Sequence, residues 1–344
     1  MECPNMNMKQ SAIALVISAI AMPVMALSPS VGDPGFSGSV SLGAGAGKVK
    51  SNFLADVMGV DLSDDKLSNI GDPDDKNVTM PVAEFDLGWT FSSGKTRVMF
   101  GSDQGGGFSD FTPGVQIGVR HDTGNAGNFQ LVGLMADGAT KVYEDPYQLG
   151  SNRGKSDISH NGGRFIWDQM FNSNFELMAE VRKIDVDNER SGEQAFGSNP
   201  AARKLLKRDG DMYKTTLGYM YKANDRHTFR PSIGYVDYDL DGDAMSRKGA
   251  LIELGYIYTA DSFNLSLSGL YGKLDGDKRT PFAASNDKND TDRYQIAGSM
   301  DFSGLFGLKK WVPRISAIYA NDDSDIDFND TEAWMIMAGM HRTF

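Results

Sequence analysis

From Phe36 to Phe344 the chain repeats one pattern: segments in which apolar and polar side chains alternate, separated by clusters of Gly, Asn, Asp and Ser. Successive side chains of a β-strand point to opposite faces, so each segment has one oily face and one wet face. In Ala83–Phe91, Phe85, Leu87, Trp89 and Phe91 share one face, and Glu84, Asp86 and Thr90 share the other. Phe175–Arg182, Phe263–Ser268 and Tyr294–Phe302 repeat the arrangement. No long helical period interrupts it. The pattern predicts fourteen strands, at 36–48, 82–91, 95–102, 111–121, 128–143, 163–171, 174–186, 211–222, 227–238, 248–259, 262–274, 292–303, 311–321 and 331–344.

The connections sort by length. Short ones (Ser92–Gly94, Asp122–Ala126, Asn172–Ser173, Ala223–Arg226, Ala260–Asp261 and Gly304–Lys310) alternate with mostly longer ones at 51–80, 103–110, 144–162, 187–210, 239–247, 275–291 and 322–330. A soluble sandwich has no reason to sort its loops by parity. A transmembrane up-and-down antiparallel β-barrel does, with tight turns on the periplasmic side and long loops outside. Both termini then lie on the periplasmic side, which requires an even strand count. A closed barrel also satisfies every backbone N–H and C=O without water.

Composition narrows the alternatives. Lys plus Arg is 34 and Asp plus Glu is 46, a net charge of −12. An acidic chain lacks the basic surface a nucleic-acid partner requires. The single Cys, Cys3, rules out a thiolate zinc site. One stretch, Ser11–Leu27, is apolar enough to resemble a helical span, and Pro23 breaks it. With Lys9 before it and Val24-Met25-Ala26 at its end, it reads as an export signal cleaved after Ala26. Residues 27–344 then form one barrel domain.

Aromatic residues fall where a headgroup girdle needs them: Trp89, Phe91, Phe171, Phe175, Tyr219, Tyr221, Tyr258, Phe263 and Phe302 lie beside short turns. Val115, Ile117, Val119, Ile233, Leu254, Leu265, Leu267 and Ile315 would meet the bilayer interior. The last segment, Ala333–Phe344, places Trp334, Ile336, Ala338 and Met340 on one face and ends in Phe. It resembles the C-terminal recognition strand of bacterial outer-membrane proteins, which implies an assembly signal at Gly339 and Phe344 read by the barrel-assembly machinery. Arg342 departs from that pattern, which usually has an aromatic or apolar residue there.

Several short pieces resemble an uncharacterised family of bacterial outer-membrane β-barrel proteins, known only as a domain of unknown function. They are Glu144-Asp145-Pro146-Tyr147, Asp185–Gly192, Asn224–His227 leading to Arg230-Pro231, Asp241–Ser246 and Asp325–Phe328. Their order along the mature chain carries the resemblance. It implies the outer membrane of a Gram-negative bacterium, with lipid and lipopolysaccharide as neighbours, and no established activity.

If the oily faces meet lipid, the opposite faces meet the lumen. Those faces carry Glu84, Asp86, Arg97, Arg120, Arg164, Asp168, Glu176, Glu180, Arg182, Lys214, Arg230, Glu253, Arg293, Asp301 and Arg314. A charge on the lipid face costs about 2–4 kcal/mol at mid-depth, so these residues read as pore-lining. They either select solutes in a wet pore or neutralise one another in a filled one.

The loops hold weaker signals. Loop 51–80 is acidic, and Phe53, Leu54, Val57, Met58 and Leu62 have helix-like spacing that would suit a constriction folded into the lumen. Loop 322–330 carries Asp322, Asp323, Asp325, Asp327 and Asp330 and no base. Asp237–Asp243 resembles the start of an EF-hand loop, but Lys248 stands where a bidentate Glu is required, so no metal site is assigned. Pro200–Arg208 reads as a basic helix capped by Asn199, suited to lipopolysaccharide phosphates or anionic solutes. His160 lies beside Ser159 and Asn161 in an outer loop, but sequence neighbours seldom face each other in a working site. No catalytic residue and no cofactor are assigned. The expected function is a passive porin-like channel for small polar solutes, the alternative a non-conducting barrel that binds lipopolysaccharide, phage or other surfaces. The oligomeric state is not legible.

Overall fold

Antiparallel pairing runs from each long strand to the next in sequence and then back to the first, so the sheet has no free edge. The computed structural model describes residues 31–62, 66–103, 113–282, 287–305 and 310–344. The stretch expected to be an export signal, and Asp64 and Asp65 of the acidic loop, lie outside the described residues. Eighteen strands form the sheet, of which four are short pieces at 54–57, 60–61, 140–143 and 221–222. The remaining fourteen close the barrel. They are β1 Gly35–Ser51, β2 Asp75–Thr90, β3 Thr96–Ser102, β4 Val115–Asp122, β5 Asn128–Ala136, β6 Lys155–Asp168 and β7 Phe175–Val186. They continue as β8 Gly210–Tyr219, β9 His227–Leu240, β10 Arg247–Thr259, β11 Phe263–Gly276, β12 Thr291–Phe302, β13 Val312–Ser324 and β14 Thr331–Thr343.

The closing seam joins β1 to β14 from Ser39 opposite Thr343 to Ser51 opposite Thr331. Past the end of β14, the Phe344 amide donates to the Gly38 carbonyl at 3.0 Å, and the Gly38 amide returns the bond at 2.9 Å. Phe344 also stacks on Phe36, with ring centroids 5.5 Å apart. The strands come close at this seam because Gly43 faces Gly339. A Cβ on either would run into the carbonyl of Ala338 or Leu42.

Connections 91–95, 123–127, 169–174, 220–226, 260–262 and 303–311 share one end of the barrel with both strand termini, called here the turn end. Connections 52–74, 103–114, 137–154, 187–209, 241–246, 277–290 and 325–330 share the other, the loop end. One expected strand divides: 128–143 stops at Ala136, and Thr140–Tyr143 pairs with Lys155–Asp157 of β6 on one edge and with Leu54–Val57 on the other. Several strands extend further toward the loop end than the alternation predicts, most of all β2, which starts at Asp75, and β6, which starts at Lys155.

The outward face is an apolar belt. Leu131, Ile233, Ile252, Leu254, Ile296, Ile315 and Ile336 are all more than half exposed. Rings flank them on both sides. Phe36, Trp89, Phe91, Phe171, Phe175, Tyr219 and Tyr221 lie exposed toward the turn end, and Tyr213, Tyr235, Tyr271, Tyr294, Tyr319 and Trp334 toward the loop end. On β14, Trp334 and Phe344 are ten steps apart; at about 3.4 Å per step and a tilt of about 40° this spans about 26 Å, the height of a bilayer's apolar band. Water would penalise such a surface, whereas hydrocarbon does not.

Candidate functional site

The inward face changes character halfway along the barrel. Toward the turn end it is charged, and the charges are paired between neighbouring strands or across one intervening strand. Arg97 on β3 donates to Asp86 on β2 at 3.3 Å and to the Ser37 hydroxyl at 2.7 Å. Arg120 on β4 reaches Asp168 on β6 at 2.6 Å, and Asn128 donates to the same carboxylate at 2.8 Å. Arg314 on β13 makes a two-pronged contact with Asp301 on β12, at 2.6 and 2.8 Å, with Glu84 3.8 Å away. Glu176 on β7 pairs with Arg230 on β9.

The densest group is a ring of four buried charges. Arg164 on β6 and Arg182 on β7 both contact Glu180, and both reach Asp103 just after β3, at 3.0 and 2.6 Å. Within this group two carboxylates face two guanidiniums. That balance is what makes burial tolerable, since each ion alone would lose several kcal/mol of hydration. Toward the loop end a smaller group repeats the idea: Asp322 accepts from Arg293 at 2.8 Å and from Arg247 at 3.0 Å, and Arg293 also reaches the Tyr238 hydroxyl at 3.1 Å.

Strand parity places all fifteen candidate charges on the inward side, including Lys214 on β8 and Glu253 on β10. Asp103 escaped the sequence reading because it lies in a connection, outside the alternation. The sequence places Asp322 in a loop without a base; the bases arrive from β10 and β12, which only the sheet pairing reveals.

Apart from the Asp322 group, the loop half of the lumen is largely apolar. Inward residues Val49, Val78, Met80, Val82, Ile318, Met335 and Met337 form one buried cluster. Gly45 leaves room for it, since a Cβ there would lie 2.8 Å from the Met335 sulfur. The segment expected to be helical fills this space as a β-hairpin, Leu54–Val57 with Val60–Asp61. Its turn uses left-handed residues Met58 (φ 56°) and Gly59 (φ 80°), and the Gly59 amide bonds to Asp56 at 2.7 Å. Leu54, Val57 and Leu62 pack into the cluster, so the expected constriction is present with a different backbone. The apolar spacing suits a helix as well as a twisted hairpin, and the pairing with Thr140–Tyr143 decides between them.

Above the hairpin the long loops meet in an aromatic cap. Tyr147 stacks on Phe328 at 4.8 Å and contacts Phe282 at 4.8 Å, Phe53 meets both Tyr147 and Phe328 edge-on, and Leu206 is buried beside them. Burial pushes the Tyr147 hydroxyl well above the ordinary phenol range. The expected basic helix is shorter, Pro200–Lys204, with the Asn199 side chain accepting from the Ala202 amide at 3.2 Å. Two of the segment's four basic residues are engaged: Arg203 pairs with Glu193 at 3.1 Å, and Arg208, past the helix end, is buried against Glu189 at 2.8 Å. His160 lies on β6 rather than in a loop, and it is buried inward while Ser159 and Asn161 take the opposite face. Those neighbours therefore cannot act together.

A family model described as a protein of unknown function, DUF2860, matches residues 35–341. No curated protein matches the chain. Among solved structures, a FadL homologue from Pseudomonas aeruginosa is similar at 12% identity and a TM-score of 0.46, with 90% of each chain covered. The outer membrane channel DcaP of Acinetobacter baumannii is similar at 10% identity and a TM-score of 0.42, covering 90% of this chain and 98% of that one. The toluene transporter TbuX of Ralstonia pickettii stands at 11% and 0.42, covering 92% and 91%. At such identities the likeness concerns the fold alone. The family match runs from the first barrel strand to the last, and the chain belongs to the DUF2860 family of proteins of unknown function.

Proposed function

We propose that this barrel is a passive channel for small solutes in the outer membrane of a Gram-negative bacterium. The turn end faces the periplasm, and the loop end faces out among lipopolysaccharide. Phe344 and Gly339 present the final strand to the assembly machinery. One observation carries the reading: on β8 to β12 the inward polar residues of the turn half, Lys214, Thr216, Ser232, Glu253, Ser266 and Ser299, are only half-buried. That wall is open to water, unlike the lumen of a barrel filled by its own side chains. Lys214 and Glu253 line this vestibule, and the inward charges of the turn half around them set its field. The hairpin at 54–61 and the aromatic cap close its outer end and act as the gate. Transport of this kind requires no energy source, cofactor or catalytic residue.

The closed cap also favours a second reading, a non-conducting barrel whose loops contact other surfaces. Purified protein in a planar lipid bilayer separates the two. Stepwise conductance supports the channel, and a silent bilayer with proven insertion supports the rival.

A further inference from the structure

Below the aromatic cap, where the hairpin meets β6, β7 and β9, lies a cavity of about 170 Å³. Its walls are mainly apolar, with Leu54, Val142, Ile158, Ile184, Leu240 and Met245. Arg208, Arg247, Asp322 and Asn329 also line it.

Two of these polar side chains are incompletely satisfied. Arg208 is 8% exposed. Its Nε donates to Glu189 at 2.8 Å and its Nη2 to the Tyr143 carbonyl at 2.7 Å, while its Nη1 has no acceptor among the described residues. Asn329 is 9% exposed; its amide nitrogen donates to Asn289 at 3.0 Å, and its Oδ1 has no donor among the described residues. A buried charged donor left without an acceptor is costly, and a ligand oxygen would relieve it. Arg208 and Arg247 stand against the one carboxylate of the cavity wall, Asp322, so the lining carries one more guanidinium than carboxylate and leaves room for an anion.

We propose that this cavity binds a small amphipathic carboxylate, its carboxylate on Arg208 Nη1 and its apolar body against Ile158, Ile184 and Leu240. Size sets the class. An apolar cavity of about 150 Å³ accepts benzene, so this one suits a single ring or a short branched chain bearing one acid group. The inference rests on the channel reading, because it names the solute held behind the gate.

The test titrates the folded, detergent-solubilised protein with benzoate and, separately, with benzyl alcohol, which has the same ring without the charge. Benzoate is expected to bind at least about tenfold more tightly, a difference of about 1.4 kcal/mol. Arg208→Gln should erase that preference. Arg208 also holds the loop to the Tyr143 carbonyl, so a second variant, Ile184→Trp, fills the cavity from the wall and leaves Arg208 in place. It should abolish benzoate binding while the barrel keeps its heat-dependent gel shift. Equal affinity for the two probes, no benzoate binding, or binding unchanged in Ile184→Trp would each overturn the proposal. Conductance without benzoate binding defeats this inference alone, and benzoate binding in a silent bilayer defeats the channel alone.

Discussion

Glu180 holds two arginines at once, Arg164 and Arg182, with its side chain fully buried. Replacing it with Gln removes the carboxylate that both guanidiniums share. Breaking a buried pair in this way costs about 3–5 kcal/mol. Glu180→Gln should therefore lower the temperature at which the barrel loses its compact band on a gel; an unchanged transition would show that the ring contributes nothing to stability. Asp330, just before β14, accepts from the Ser324 amide at 2.9 Å. Burial pushes its carboxyl up to about 6, and Asp323 and Asp72 add to the rise. The folded loop thus keeps a proton that the unfolded chain releases near pH 3.8. The associated stability is fully present below that pH and is lost as pH rises through about 6. Protease cleavage at 325–330 should be slower at acidic than at neutral pH, and Asp330→Asn should flatten the difference. The inward charges were legible one by one, because a strand's two faces separate them by parity. Two of their partners were not, since Asp103 and Asp322 sit where the predicted alternation ends. The buried position of Arg208 was equally hidden, because a basic loop reads as solvated until the loops around it are placed.

The hairpin at 54–61 is the element that sets the state of the lumen. It lies against Val78, Met80, Met335 and Met337, and it is held along one edge by Thr140–Tyr143. Val57→Asp would place a carboxylate in this apolar packing, where an uncompensated polar group costs about 2–7 kcal/mol. The hairpin should leave the lumen while the wall stays closed, giving larger conductance steps at an unchanged gel transition. Steps of wild-type size would contradict its role as a stopper. The strands themselves were plain in the sequence, because each alternates for long enough to fix its faces. The hairpin was obscured because two- and four-residue strands are too short to show a period. The apolar inner wall left a trace that parity alone misses: Ala333–Met340 is apolar at nearly every position, as a strand buried on one side and lipid-facing on the other must be.

For the molecule as a whole, the two sides of one strand should respond to charge in opposite ways. Ile296→Arg puts a guanidinium at mid-height on the outward face of β12, at a cost of about 2–4 kcal/mol in lipid. Ser299→Arg on the inward face meets the vestibule and should leave the gel transition in place. Comparable losses from both would mean that the faces are misassigned. Closure, strand number and the grouping of loops at one end were legible because an even, sealed sheet is the arrangement that sorts connections by parity. The filling of the outer lumen depends on contacts between segments far apart in the chain, which no local pattern encodes. The most direct test of the account places single spin labels along β12, residues 291–302, in protein reconstituted in liposomes and lacking residues 1–26, which carry the only Cys. Apolar oxygen should reach Tyr294, Ile296 and Met300, a water-soluble relaxing agent should reach Ser299 and Asp301, and neither should reach Gln295 and Ala297. Water access at every position, or no alternation between adjacent residues, would contradict a bilayer-spanning barrel with a wet periplasmic half and a closed outer half.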